Sequence, residues 1–193
     1  AGIMPTIGIG AYSEIIDIEA KYTMEIDDKI DPRMVLALGL NYITASHLLD
    51  NFTNIGAGKN VFIHGISGNI GLALADFIAV KGYHLYGTCS KKNRAFVEEK
   101  GGKTFDYRHP NWQEEALAAC PQGYDLVIDT LGFHNLPISR NLLKAGGTLV
   151  FLGLTKDVEQ GFFHTLKGTV IYIQTLLKGI RLKPYFFGGD ILN

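Results

Sequence analysis

The sequence predicts an α/β fold: a doubly wound parallel sheet with helices on both faces. Three observations predict it. Short, largely apolar runs recur along the chain. Segments of helical pattern separate them. The first run, Val61–His64, ends in a glycine-rich turn that opens directly into a helix. Strands that are apolar throughout are those covered on both faces, and helical crossovers join strands in parallel with a right-handed turn.

The elements follow in order. Asp31-Pro32 reads as an N-cap followed by proline in the first turn. A helix from Pro32 to Leu49 follows, with Val35, Leu38, Tyr42, Ala45 and Leu49 on one face. Strands are expected at Val61–His64, His84–Thr88, Thr104–Asp106, Leu126–Asp129 and Thr148–Leu152. Helices between them are expected at Asn69–Val80, Asn93–Lys100, Trp112–Ala119 and Asn135–Leu143. A further apolar helix is expected at Thr165–Leu177. That makes five strands where the dinucleotide-binding sheet has about six, and no sixth is read in the segment from Lys183 to Asn193. Residues 1–30 have a different character, with short strands around Gly8, Gly10 and Tyr12. They read as the end of another unit, and residues 31–193 as the sheet domain.

Composition narrows the function classes. The chain has 193 residues, is 47% hydrophobic and 19% charged, and carries a net charge of −1. A charge so close to neutral argues against nucleic-acid partners. No apolar run approaches the roughly 18 residues of a membrane span, and the N-terminus has no signal-peptide pattern. Cys89 and Cys120 have no CxxC or metal-ligand spacing, so free thiols in a cytoplasmic setting are expected. The six histidines (47, 64, 84, 109, 134 and 164) show no HxxxH pattern and read as scattered structural or surface groups rather than metal ligands.

The chemistry concentrates in the turn His64-Gly-Ile-Ser-Gly-Asn-Ile-Gly71. Gly65 allows the tight bend, Gly68 removes a side chain where a phosphate would sit, and Gly71 lets the helix pack on the strand. The helix N-terminus, with Ser67, Asn69 and Ile70 around it, offers free N–H groups and a positive dipole end to an anion. Its first two glycines are three apart rather than two, and its context supplies what the spacing lacks. The residue after the second strand decides which nucleotide is held. Gly87-Thr-Cys-Ser-Lys-Lys-Asn-Arg94 has no acid to bind ribose hydroxyls, and an acid would repel a 2′-phosphate. Ser90 and Lys91 are therefore candidate phosphate contacts, and NADP(H) is favoured over NAD. Lys91, Lys92 and Arg94 also read as a solvated first helical turn. Ser67 lies in no Gly-x-Ser-x-Gly elbow, which disfavours a serine hydrolase. Asp129 reads as the cap of its turn. Phe162, Phe163, Phe186 and Phe187 read as packing, or as the lining of a substrate pocket.

These motifs together resemble the zinc-independent medium-chain dehydrogenases/reductases, the quinone oxidoreductase group. Leu38-Gly-Leu-Asn-Tyr-Ile-Thr-Ala45 resembles the group's Asn-Tyr-x-Thr-Ala segment, and His64–Gly71 its cofactor turn. The stretch from Gly102 to Asp106-Tyr107 resembles the run into its Asp-Tyr. Leu143-Lys-Ala-Gly-Gly-Thr-Leu-Val-Phe-Leu-Gly153 resembles its fifth strand. Within that group, the motifs resemble those of the reductases similar to the vesicle amine transport protein homologue.

The resemblance implies a Rossmann-type NADP(H)-binding domain over residues 31–193, incomplete at its C-terminal end. It implies the last strands of a GroES-like β domain over 1–30, with the rest of that domain outside the chain. It implies Gly65, Gly68 and Gly71 at the pyrophosphate, and Lys91 and Tyr107 at the 2′-phosphate. Asn41 and Thr44 would lie near the nicotinamide, and Leu131, Gly132, Phe151 and Gly153 beside its ribose. It implies NADPH as cofactor, a quinone or α,β-unsaturated carbonyl as small-molecule substrate, and a homodimer. No catalytic acid is named. A non-catalytic NADPH-binding module and an enoyl-thioester reductase stay open as alternatives. A methyltransferase is disfavoured, because that class keeps an acid after the second strand.

Overall fold

The computed structural model describes residues 14–15, 17, 19–20, 23–53, 55–152 and 179–185. The expected strands around Gly8, Gly10 and Tyr12, the expected helix Thr165–Leu177, Gly153, and Phe162, Phe163, Phe186 and Phe187 lie outside these residues.

A six-stranded sheet forms the centre: β1 Asn60–Ile63, β2 His84–Cys89, β3 Lys103–Asp106, β4 Tyr124–Asp129, β5 Leu143–Leu152 and β6 Arg181–Tyr185. Every neighbouring pair is parallel, in the order β3-β2-β1-β4-β5-β6. The chain steps outward from β1 to β3, then crosses back to place β4 on the other side of β1. The order thus reverses between β1 and β4, where open parallel sheets bind ligands at their carboxyl ends.

Among the described residues the α-helices are α1 Pro32–His47, α2 Asn69–Lys81, α3 Arg94–Glu98, α4 Trp112–Ala119 and α5 Leu136–Leu142. Strand alternation sends successive side chains to opposite faces. Val61 and Ile63 of β1 join Leu126, Ile128 and Val150 under Leu74 and Ile78 of α2 and Ala45 of α1. Phe62 points the other way, into a second layer with Val127, Leu149, Trp112, Leu136 and Leu142. Both layers are needed because every strand of a parallel sheet is apolar on both sides.

The sixth strand corrects the five-strand expectation. Among the described residues β6 is an edge strand, paired to β5 on one side with Phe151 opposite Pro184. An edge strand tolerates a missing N–H on its open side. Other differences are local. The expected helix 93–100 is a 3-10 turn, Lys91–Asn93, followed by the short α3. β5 begins at Leu143 rather than Thr148, with a register irregularity opposite Tyr124 and Leu126. α1 passes at Leu48 into a π-helical stretch, Leu48–Thr53. Its apolar face is buried only in its second half: Ala45 and Leu49 are covered, whereas Leu38 is 42% exposed. Asp31 caps α1 as expected, accepting the Arg33 N–H at 2.9 Å.

Candidate functional site

The glycine turn is laced to both neighbouring strands. Gly65 takes a φ of +70°, which a side chain disfavours. Its N–H donates to Thr88 Oγ1 of β2 at 3.1 Å, and the Ile66 N–H donates to the Thr88 carbonyl at 3.0 Å. On the other side, Thr130 Oγ1 donates to the His64 carbonyl at 2.9 Å, and the His64 N–H donates to the Ile128 carbonyl at 2.9 Å. The turn closes on itself through Gly68 N–H to Gly65 carbonyl, 2.9 Å. α2 then packs so close that a Cβ on Gly71 would stand 2.5 Å from the Ile66 carbonyl oxygen.

Gly68 is the N-cap of α2 and offers no side-chain cap. Serine, threonine, aspartate or asparagine at this place would occupy the first-turn N–H groups. Here they are left for an anion, reinforced by the helix dipole.

In front of the turn lies a cleft of about 870 Å³. Gly65, Ser67 and Gly68 form one wall. Thr88, Cys89, Ser90, Lys92 and Asn93 form a second, at the end of β2. Tyr107, Arg108 and Trp112 close it from the β3 end, and Thr130, Leu131, Asn135 and Ile138 from the β4 end, with His64 also lining it. Asn93 Nδ2 donates to Ser67 Oγ at 3.2 Å, joining the first two walls. The Arg108 guanidinium lies 5.1 Å from the Tyr107 ring centre. The cleft therefore has a cationic rim at the ends of β2 and β3. Cys89 is 3% exposed, and burial pushes its thiol up, so it is not a ready nucleophile.

Below the cleft, Asp129 is fully buried. Its carboxylate accepts the Leu131 N–H at 2.8 Å, Asn135 Nδ2 at 2.9 Å and the Ser139 hydroxyl. The turn-capping role read for Asp129 is thus present and extends to α5. His64 is 1% exposed, its Nε2 closed to solvent and without a partner. Burial pushes its imidazole down to about 4, against an opposing pull from the Asp129 carboxylate. It is a neutral ring at ordinary pH.

The structure brings Gly65, Ser67, Gly68, Ser90, Tyr107 and Leu131 together around one cleft. Asn69, Ile70 and Gly71 form the first turn of α2 behind it. Gly132, at φ +103°, turns the chain after Leu131. Lys91 is exposed in the 3-10 turn, and the lysine that lines the cleft is its neighbour Lys92. Asn41 donates to the Ala37 carbonyl of its own helix, and Thr44 is buried in α1; neither lines the cleft. Phe151 lies in β5 opposite Asp129, buried in the layer under α4 and α5. The cleft residues that sequence reasoning did not single out as site residues are His64, Thr88, Cys89, Lys92, Asn93, Arg108, Trp112, Thr130, Asn135 and Ile138. Strand-end position beside Gly65 was a usable signal for His64, Thr88 and Thr130. Nothing local marks Trp112 or Asn135.

The family model described as "Zinc-binding dehydrogenase" matches residues 69–191. The chain belongs to the zinc-binding dehydrogenase family. A quinone oxidoreductase of Rattus norvegicus is 29% identical over 153 residues, covering 78% of this chain and 46% of that relative. The chain thus spans about half the length of such a relative. Among solved structures, the CurK enoyl reductase superposes with a TM-score of 0.71 at 21% identity, covering 88% of this chain and 48% of that one. A mycobacterial protein complexed with NADPH superposes with a TM-score of 0.70 at 19% identity, covering 86% of this chain and 50% of that one. These structures confirm the α/β sheet architecture.

Two outcomes follow. Gly71→Ala must displace the Ile66 carbonyl, and urea denaturation is expected to show a loss of about 2 kcal/mol; unchanged stability would mean that α2 does not pack this closely. His64 is neutral when folded, so below pH 6.5 the unfolded chain binds the extra proton. Stability is expected to fall as pH drops from 6.5 to about 4, by about 3 kcal/mol in total. His64→Leu should flatten that slope in denaturation measured across the range.

Proposed function

We propose that this chain is the cofactor-binding part of a zinc-independent, NADPH-dependent oxidoreductase whose substrate is a quinone or an α,β-unsaturated carbonyl. The single observation that carries the proposal is the uncapped α2 N-terminus behind Gly65–Gly68. It sits where the strand order reverses and opens into a cleft with a cationic rim. That combination fits a dinucleotide: N–H groups for its pyrophosphate, and Ser90, Lys92 and Arg108 for a further phosphate. The absence of an acid in Thr88–Ser90 supports NADPH over NADH.

When bound, NADPH supplies the hydride. The chain's own residues hold and orient. Thr88 and Thr130 keep the turn in its binding shape, and the Asp129-anchored segment keeps Leu131 against the cleft. The buried His64 and Trp112 and the partly buried Ile138 shed water from one side. Residues 1–30 read as the end of a GroES-like domain and 31–193 as the cofactor domain. The likeness to quinone oxidoreductases supports the quinone acceptor; the homodimer and the cytoplasmic setting are part of the same reading and rest on the sequence alone. The zinc-independent reading rests on the cofactor-turn motif. Because the chain spans 46% of the rat relative, a cofactor-binding module without turnover of its own is the second reading.

Fluorescence titration with NADPH and NADH tests the proposal. NADPH is expected to bind at least about tenfold more tightly, as for one charge-assisted contact. Lys92→Ala and Lys91→Ala should narrow that gap according to which lysine reaches the phosphate. Equal affinity for the two dinucleotides would contradict the NADPH reading, and binding of neither would contradict the proposal.

A further inference from the structure

Around the cleft, His64 carries a fully buried side-chain nitrogen that no hydrogen bond satisfies. Thr88 Oγ1 receives the Gly65 N–H, Thr130 Oγ1 donates to the His64 carbonyl, and Asn135 Nδ2 serves Asp129 and Ser139. His64 Nε2 has no partner. An unmet buried nitrogen is costly, and its presence calls for a cause. The ring is also held in place. It meets the edge of Phe62 at 5.1 Å and 67°, and that of Trp112 at 5.8 Å and 86°. A half-turn about Cβ–Cγ exchanges Nε2 with Cε1 and Nδ1 with Cδ2 within the same outline, and His64 is among the residues that line the cleft.

We propose that His64 is a specificity-determining residue that hydrogen-bonds the edge of the planar base of the bound nucleotide; this rests on the dinucleotide reading above. The surroundings select that chemistry. The Asp129 carboxylate acts on His64 electrostatically and disfavours a phosphate or carboxylate there. The other groups around this part of the cleft are Thr130 and Asn135, both engaged in hydrogen bonds, and Trp112, Leu131 and Ile138, which suit a flat neutral ring. The cationic rim of Lys92 and Arg108 lies at the neighbouring strand ends, which assigns the adenosine half to this part of the cleft. A neutral imidazole presents one donor and one acceptor nitrogen, and so distinguishes bases that differ in those groups.

The test compares the affinities of NADPH and its hypoxanthine analogue, whose base carries an oxo group in place of the amino group. Wild type, His64→Gln and His64→Leu are measured, each with its melting temperature. Wild type is expected to prefer NADPH by about fivefold, as for one hydrogen bond. His64→Leu should lose that preference while melting no lower, since it removes an unmet polar atom. His64→Gln should retain part of the preference. A wild type that binds both alike, or a leucine variant that keeps the preference, would overturn the inference and leave the NADPH reading standing. A wild type that binds neither would overturn both. Should His64→Leu not fold, the ¹⁵N resonance of the wild-type His64 ring decides: a shift on adding NADPH supports the contact, and no shift overturns it.

Discussion

A Cβ on Gly71 would lie 2.5 Å from the Ile66 carbonyl oxygen and 2.7 Å from that of Gly65. α2 comes this near the end of β1 only because residue 71 has no side chain. The consequences reach through the structure. The turn is forced into a left-handed residue at Gly65, and the helix axis points its N-terminus at the open cleft. On the far side, a Cβ on Gly87 of β2 would meet the Ile63 carbonyl at 2.4 Å and Ile66 Cβ at 2.8 Å. Two strands and one helix thus converge on a segment of four residues, and the hydroxyls of Thr88 and Thr130 fix what remains of its freedom.

Electrostatics then divides the cleft. Its turn presents backbone N–H groups and the positive end of a helix. Its rim carries Lys92 and Arg108. Its floor holds a neutral imidazole above a buried carboxylate whose oxygens are occupied by Leu131, Asn135 and Ser139. An anionic ligand portion is favoured at the turn and rim and disfavoured at the floor. An elongated molecule with phosphates at one part and an uncharged ring at another matches that division, and a dinucleotide has this form.

The sequence showed the sheet because strand apolarity and crossover helices are local patterns. α2 and α4 were legible almost to the residue: Trp112–Ala119 is as expected, and Asn69–Lys81 runs one residue further. β6 was not legible, because Pro184 is tolerated only by virtue of the strand's edge position, a property of the assembled sheet. The shortening of the third helix was hidden too, since Lys91–Asn93 has helical composition but takes a tighter turn. At the site, Gly65, Gly68 and Ser90 could be read from motif and charge. Lys92, rather than Lys91, faces the cleft because the 3-10 turn rotates side chains by a different angle from an α-helix. His64 was read as one scattered histidine among six. Its strand-end place on the Phe62 face acquires meaning only once Asp129 and Trp112 come beside it.

The central claim is that the first-turn N–H groups of α2 receive the ligand's pyrophosphate. Amide hydrogen exchange of the chain with and without NADPH tests it most directly. The account predicts selective slowing at Asn69, Ile70 and Gly71, with the edge strand β6 unchanged. Protection elsewhere in the cleft with unchanged exchange at those three amides would contradict it.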